Sequence, residues 1–266
     1  MDSINTVRAF YNSNAEKEWN RIANRPEFIL TCRYLDRLIQ PGERVLDIGG
    51  GPGRYAMHLA KRGCNVTLVD LSEANVAFAL AKSQELQLPI EAHCGNALDI
   101  ESIVAEPYDH ILLMGPLYHL LEESDRTACV HAAISMLKPG GCLFASFINL
   151  YSGMIYAMVF DPAVVVNEAE ALYNHSMRQG KSFAGQAFTQ AFFIHQKEVL
   201  PFMEQFPLEK LHYFGQEGIL SPREADIMSQ PADIVAAWLD LAELLGEQDI
   251  FLSWAEHLMY IGRKKA

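Results

Sequence analysis

The sequence predicts an α/β fold: a doubly wound, mostly parallel sheet of seven strands with helices on both faces, an N-terminal helical flap and an inserted helical lid. Three observations carry that expectation. Five short aliphatic runs between residues 44 and 147, RVLDI, NVTLVD, IEAHC, YDHILLM and CLFASF, alternate with longer stretches whose apolar residues recur at helical spacing. A glycine-rich turn joins the first run to the first helical stretch. Two further strand-like runs, within LEKLHYFGQEGIL and SWAEHLMYIGRKK, close the chain.

Each element has a local reason. Residues 4 to 39 read as two helices around Arg25-Pro26, the second placing Phe28, Ile29, Cys32, Leu35 and Leu38/Ile39 on one face, so residues 1–40 form the flap. In the core, 41–149, helices are expected near Gly53 to Arg62, Ser72 to Leu86, Ile100 to Ala105 and Glu122 to Leu137. Ser72 can cap the second of these. Pro139-Gly140-Gly141 should stop the fourth, by removing a donor and permitting positive φ, and launch the fifth strand. Residues 150–205 break the rhythm with many aromatics and few strand signals, which reads as a helical lid over a substrate region. Residues 206–266 resume the alternation, with a helix from Pro231 to Leu245, and complete the sheet.

Composition narrows the function. The chain has 266 residues and a formal charge of −12, and no basic cluster precedes Arg263-Lys264-Lys265, so a nucleic-acid partner is not expected. The five cysteines, Cys32, Cys64, Cys94, Cys129 and Cys142, are scattered without C-x-x-C spacing and read as reduced core thiols, with neither a disulfide framework nor a metal site. The polar start lacks the apolar core of a signal peptide, and no apolar run reaches membrane-spanning length. The expectation is a cytoplasmic protein without a membrane partner.

The strongest local feature is VLDIGGGPGRYA, in which Asp47, Gly49, Gly51 and Gly53 sit two apart between a strand and a helix. Glycines there let the backbone turn sharply and let a ligand lie against main-chain atoms, while the helix N-terminus offers free N–H groups. An acid inside the strand and D-x-G-x-G-x-G spacing differ from the dinucleotide pattern G-x-G-x-x-G. Asp47 suits a ligand ammonium group. Asp70, ending the second strand seventeen positions after Gly53, suits the two hydroxyls of a ribose.

These residues resemble the class I S-adenosylmethionine-dependent methyltransferases, through VLDIGGGPG, LVDLS, CGNALDI, YDHILLMGPLYHL and LKPGGCLFASF in that order. The phrase MGPLYHL resembles a small, mostly bacterial subgroup. The resemblance covers about residues 40 to 150 strongly, 205 to 263 weakly and the lid hardly at all. It implies a Rossmann-like core with S-adenosyl-L-methionine as cofactor. On that resemblance Gly49, Gly51 and Gly53 line the methionine part, Asp47 neighbours its ammonium, Asp70 holds the ribose and Leu71 packs on the adenine. Asn96 and Ala97 meet the adenine edge, although many relatives carry Asp at the first of these. Met114 offers its backbone carbonyl. In the flap, Tyr11, Trp19, Arg21 and Arg33 resemble residues that cover the cofactor, with Arg33 or Arg54 as alternative partners of the methionine carboxylate.

Methyl transfer from a sulfonium is an in-line displacement that depends mainly on alignment, and a base is needed only for acceptors that must lose a proton. His119 and Tyr118, directly after the fourth strand, and His195, leading out of the lid, are the candidate catalytic residues. Aromatic residues in the lid and the acidic charge favour a small acceptor bearing an amine or an aromatic ring. The expected function is therefore a small-molecule methyltransferase. A nicotinamide-dependent oxidoreductase, supported by the glycine loop and Asp70 alone, and a non-catalytic nucleoside-binding protein are the alternatives.

Overall fold

A computed structural model describes residues 3–265. The N-terminal segment forms three helices, α1 (Ser3–Asn12), α2 (Ala15–Arg21) and α3 (Pro26–Leu38), where two were expected. The extra break falls at Ser13-Asn14, whose side chains donate back to the carbonyls of Ala9 and Phe10 at 3.1 and 2.6 Å and compete with helix continuation. Pro26 opens α3, where its missing N–H costs nothing.

The expected alternation follows as β1 (Arg44–Ile48), α4 (Arg54–Lys61), β2 (Asn65–Asp70), α5 (Glu73–Leu86), β3 (Glu91–Cys94), a short α6 (Ile100–Ile103), β4 (Tyr108–Leu113), α7 (Glu123–Ser135) and β5 (Leu137–Asn149). Ser72 caps α5 as its position suggests, its side chain accepting from the Asn75 N–H at 3.1 Å. Helix α7 stops before Pro139-Gly140-Gly141. These three residues instead interrupt the entry to β5, where pairing with β4 jumps from Tyr108 opposite Leu137 to His110 opposite Cys142 and Gly140 takes φ +80°.

Residues 150–205, expected to form a helical lid, are not purely helical and contribute no residue to the lining of the main cavity. After α8 (Ser152–Phe160) and α9 (Ala171–Gln179) come a hairpin of β6 (Phe183–Gln186) and β7 (Gln190–Ile194), then α10 (Gln196–Met203). Strand β4 ends opposite Ala145, which leaves the last residues of β5 with a free edge. Strand β7 takes that edge in parallel, pairing Phe193 with Ile148 and Ile194 with Asn149. Its run Ala191-Phe192-Phe193-Ile194 is buried, so burial at an available edge outweighs the weak strand pattern.

The chain closes through β8 (Leu208–Gly215), α11 (Glu224–Met228), α12 (Ala232–Gly246), α13 (Asp249–Leu252) and β9 (His257–Lys264). Strand β9 runs antiparallel to both β5 and β8, so the seven expected strands are ordered β3-β2-β1-β4-β5-β9-β8 and the hairpin adds two more. Alternate residues supply two cores. Leu46, Ile48, Ile111, Leu113, Leu143, Ala145 and Phe147 pack with α6, α7 and α10, whereas Val45, Leu112, Phe144 and Leu68 pack with α3 and α4 on the other face.

All five cysteines are free thiols; four are buried, but Cys94 at the end of edge strand β3 is exposed, which corrects its reading as a core residue. Among the described residues no helix is long and apolar enough to cross a membrane.

Candidate active site

The parallel strands end on one side of the sheet, where their loops and the flap enclose a cavity with about 1120 Å³ of empty space, its open mouth included. The loop after β1 forms its floor. Gly49, Gly51 and Gly53 all lie in the left-handed region, at φ +73°, +57° and +88°. Their surroundings differ in an informative way. A Cβ on Gly49 would sit 2.5 Å from Pro116 Cδ, so that glycine is required by packing. A Cβ on Gly51 would meet nothing within 4 Å, because this part of the loop faces the cavity.

Two carboxylates stand beneath the loop with different states of satisfaction. Asp70 accepts from the Gly51 N–H at 2.8 Å, the Ser72 N–H at 2.9 Å and Asn75 Nδ2 at 3.0 Å, so it braces the loop as well as facing the cavity. Burial pushes its pKa up. Asp47 is 1% exposed, and its Oδ2 has no hydrogen-bond partner among the described residues. Burial, with Asp70 adding repulsion, raises its pKa to about 7. A buried, unpartnered carboxyl at a cavity wall is a site for a cationic donor.

Gly53, predicted to line the site, does not line the cavity, since a Cβ there would meet Ala79 at 3.1 Å, but the remaining predicted cofactor residues mostly converge. Leu71, Asn96, Ala97 and Met114 line the same cavity, as do Tyr11, Arg21 and Arg54 from the flap and α4. Asn96 is partly engaged: its Oδ1 accepts from the Leu98 N–H at 3.1 Å and caps the turn that follows. The Met114 carbonyl accepts from Tyr118 Oη at 3.0 Å. Arg54 stacks on Trp19 at 3.8 Å and donates to its carbonyl, with no carboxylate partner among the described residues.

Arg33 is a correction. It lies outside the cavity, paired with Glu243 at 2.7 Å and Asp240 at 2.9 Å, because its face of α3 packs against the acidic side of α12. His195 is a second. It is the N-cap of α10, accepting from the Lys197 N–H, and does not line the cavity.

His119 and Tyr118 do line it. His119 Nδ1 lies 2.9 Å from the Gln190 carbonyl, which can only accept, so Nδ1 carries the proton. Nε2 then accepts from Tyr11 Oη at 2.8 Å. Burial lowers the His119 pKa to about 4, so the ring is neutral at pH 7. The Tyr11–His119–Gln190 chain joins flap, core and inserted hairpin. Asn12 adds a second clasp, accepting from Ser72 Oγ at 2.6 Å and donating to Glu73 at 3.0 Å. Phe10 of α1 also meets Phe188 in the hairpin turn, with ring centroids 5.8 Å apart.

Sequence reasoning missed a charged group that lines the same cavity. Glu27 is 7% exposed and lines the wall with Glu18 and Arg21. Arg21 bonds Glu18 at 2.8 Å and Glu27 at 3.2 Å. Burial opposes ionisation of Glu27, but His257, Arg21 and Arg25 more than offset it and hold its pKa below the usual glutamate range. Ligand-type atoms of Glu27, Glu217 and His257 all fall within 4.8 Å of one another. As found, His257 is committed to an ion pair, its Nδ1 being 2.6 Å from Glu217 Oε1; the two glutamates outweigh burial and lift its pKa to about 9. No sequence motif could have announced this cluster, since its members lie on α3, after β8 and at the start of β9.

Residues 45–141 match the family model described as a methyltransferase domain. A ubiquinone biosynthesis O-methyltransferase from Xanthomonas axonopodis pv. citri is 34% identical over 117 residues, which are 44% of this chain and 48% of that protein. The chain spans about half the length of the curated relatives it matches. Magnesium protoporphyrin IX methyltransferase from Synechocystis PCC 6803, with bound S-adenosylhomocysteine, superposes with a TM-score of 0.61 at 15% identity, covering 99% of this chain and 100% of that one. The [4+2]-cyclase SpnF superposes with a TM-score of 0.56 at 18% identity, covering 93% and 83%. Residues 45–141 therefore match a methyltransferase domain, within a chain that has the Rossmann-like methyltransferase fold over nearly its whole length.

Proposed function

We propose that the protein is an S-adenosyl-L-methionine-dependent methyltransferase that methylates a small molecule, in the bacterial subgroup with a GPLYHL-type segment after the fourth strand. The observation that carries this reading is the cavity over the β1 loop, where Gly51 offers open space for a close ligand and Asp47 presents an unpartnered buried oxygen. A ligand with a ribose, an ammonium and a carboxylate matches the polar groups there: Asp70 for the hydroxyls, Asp47 for the ammonium, and Arg54 or Arg21 for the carboxylate. Leu71, Asn96 and Ala97 would take the adenine. On this reading residues 1–40 are the cover, 41–149 the cofactor core, 150–205 the acceptor-side insertion and 206–266 the completion of the sheet.

The cofactor supplies a methyl group on a positively charged sulfur, open to displacement from the opposite side. The chain's contribution is alignment and exclusion of water, for which well-oriented groups gain effective molarities of ~10⁵–10⁸ M. Tyr11, Asn12 and Phe10 hold the flap down over the cavity. Tyr118, fixed by the Met114 carbonyl, presents its ring to the acceptor. His119 is too weakly basic in this closed arrangement to drive deprotonation, and acts first as the acceptor that holds Tyr11. A phenolate or a neutral amine needs no proton removed by the chain before the displacement. The lean to amine-bearing or aromatic acceptors rests on the rings and carboxylates lining the cavity.

Thermal unfolding of ligand-stripped protein with S-adenosylmethionine, S-adenosylhomocysteine or NAD tests the assignment. A ligand at 100 times its dissociation constant adds about 2.7 kcal/mol, which moves the midpoint by several degrees. Shifts with both sulfur nucleosides and none with NAD are expected. A shift with NAD alone would replace this reading with a nicotinamide-dependent oxidoreductase.

A further inference from the structure

We infer that Glu27 is a specificity-determining residue that docks a cationic group of the acceptor, so that the preferred acceptors carry a protonated amine away from the atom that is methylated. The inference rests on the methyl-transfer reading for the identity of the reaction. Glu27 is 93% buried yet lines the cavity, and its Oε2 takes Arg21 at 3.2 Å while no hydrogen bond to Oε1 is found among the described residues. His257, Arg21 and Arg25 keep Glu27 ionised, so Oε1 offers a charged acceptor to a donor group in the cavity.

The charge around Glu27 has the sign that a cation requires. Arg21 is shared between Glu18 and Glu27, so these three wall residues leave one negative charge unbalanced. Behind them Arg25 is consumed by Glu224, with bonds of 2.6 and 2.9 Å, and reaches Glu256 only at 3.7 Å. His257 bonds Glu217 and also faces Glu27, so its one charge is divided between two carboxylates. Within this group four carboxylates, with Glu256 as a fifth acid whose pKa burial raises to about 7, face three cations. The rings of Tyr11, Tyr55 and Tyr118 line the same cavity and supply faces that favour a cation over an anion.

A charge series on one ring tests this without knowledge of the natural acceptor. Tyramine, 4-ethylphenol and 4-hydroxyphenylacetate are titrated calorimetrically into protein with and without S-adenosylhomocysteine. Tyramine is expected to bind about tenfold more tightly than the neutral phenol, with the acid weakest. Glu27→Gln should bring the three within about threefold of one another, and Glu27→Asp, which keeps the charge, should restore part of the preference. The inference is overturned if the acid binds as well as tyramine, if no probe binds by about 10 mM, or if a folded Glu27→Gln protein keeps the full preference. The nucleoside arm separates the two claims: nucleoside binding without cation preference removes the role of Glu27 alone, whereas cation preference without nucleoside binding removes methyl transfer and leaves Glu27 standing.

Discussion

Replacing Asp47 with Asn should make the protein more stable and the cofactor weaker, a combination that separates a binding residue from a structural one. The carboxyl is wholly buried, its Oδ2 is unpartnered, and its pKa rises from 3.8 to about 7. An acid with a raised folded pKa contributes most stability at low pH, below its unfolded value. That contribution is lost as pH rises from about 4 to about 7, because the unfolded chain ionises first. A rise of about three pH units at 1.36 kcal/mol each is worth up to about 4 kcal/mol. Ligand-free wild type should therefore weaken across that window, while Asp47→Asn should not show this component and should exceed wild type at pH 8 by a few kcal/mol. Urea unfolding at pH 4.5 and pH 8 measures the difference, and calorimetry with S-adenosylhomocysteine should show affinity lower by about tenfold or more, since a charge-assisted bond worth about 1.5–3 kcal/mol is lost. A variant no more stable than wild type at pH 8, with unchanged affinity, would refute the view that Asp47 waits for a cation.

Five further substitutions probe the site. Gly51→Ala should cost about 1–2 kcal/mol of stability for its left-handed backbone and remove nucleoside binding, whereas Gly49→Ala should cost about 1–3 kcal/mol more through its clash with Pro116; equal stability losses in the two would contradict the loop geometry. Arg54→Leu should weaken S-adenosylhomocysteine by about tenfold or more, while Arg33→Leu should leave affinity unchanged and lower stability by about 1 kcal/mol or less, its ion pairs being partly exposed; the reverse ranking by calorimetry would restore Arg33 to the site. Tyr11→Phe removes the bond to His119 and, at about 1 kcal/mol for one neutral hydrogen bond, should speed nucleoside release several-fold in stopped-flow. An unchanged release rate would mean that the flap is not the gate.

The contrast between Arg33 and Arg54 shows where the sequence was legible. Arg54 follows directly after the glycine loop, so its place beside the cavity is fixed by local chain geometry. Arg33 lies on a helix whose partner, Glu243, is 210 residues away, and nothing near it in sequence reveals which face is covered. Strands β1, β2, β4 and β5 were legible because each is largely buried on both faces and reads as an aliphatic run, whereas the exposed edge strand β3 was legible only from the alternation around it. Ser72 and Asp70 were legible because capping and strand-end geometry act over a few residues. The β6–β7 hairpin was not: its turn, Ala187-Phe188-Thr189, lacks the usual glycine or asparagine, and its strand state depends on the edge that β5 leaves free. Glu27 was invisible for the same reason, since its companions Glu217 and His257 arrive through the last two strands of the sheet.

The central claim is that the cavity under the flap holds S-adenosylmethionine through the β1 loop and Asp70. A crystal structure of the protein with S-adenosylhomocysteine tests it most directly. The account expects the ribose on Asp70, the ammonium beside Asp47, the carboxylate on Arg54 or Arg21 and the sulfur facing the Tyr11, Tyr118 and Glu27 end of the cavity. Nucleoside density elsewhere, or a ribose with no contact to Asp70 and a loop that remains open at Gly51, would contradict it.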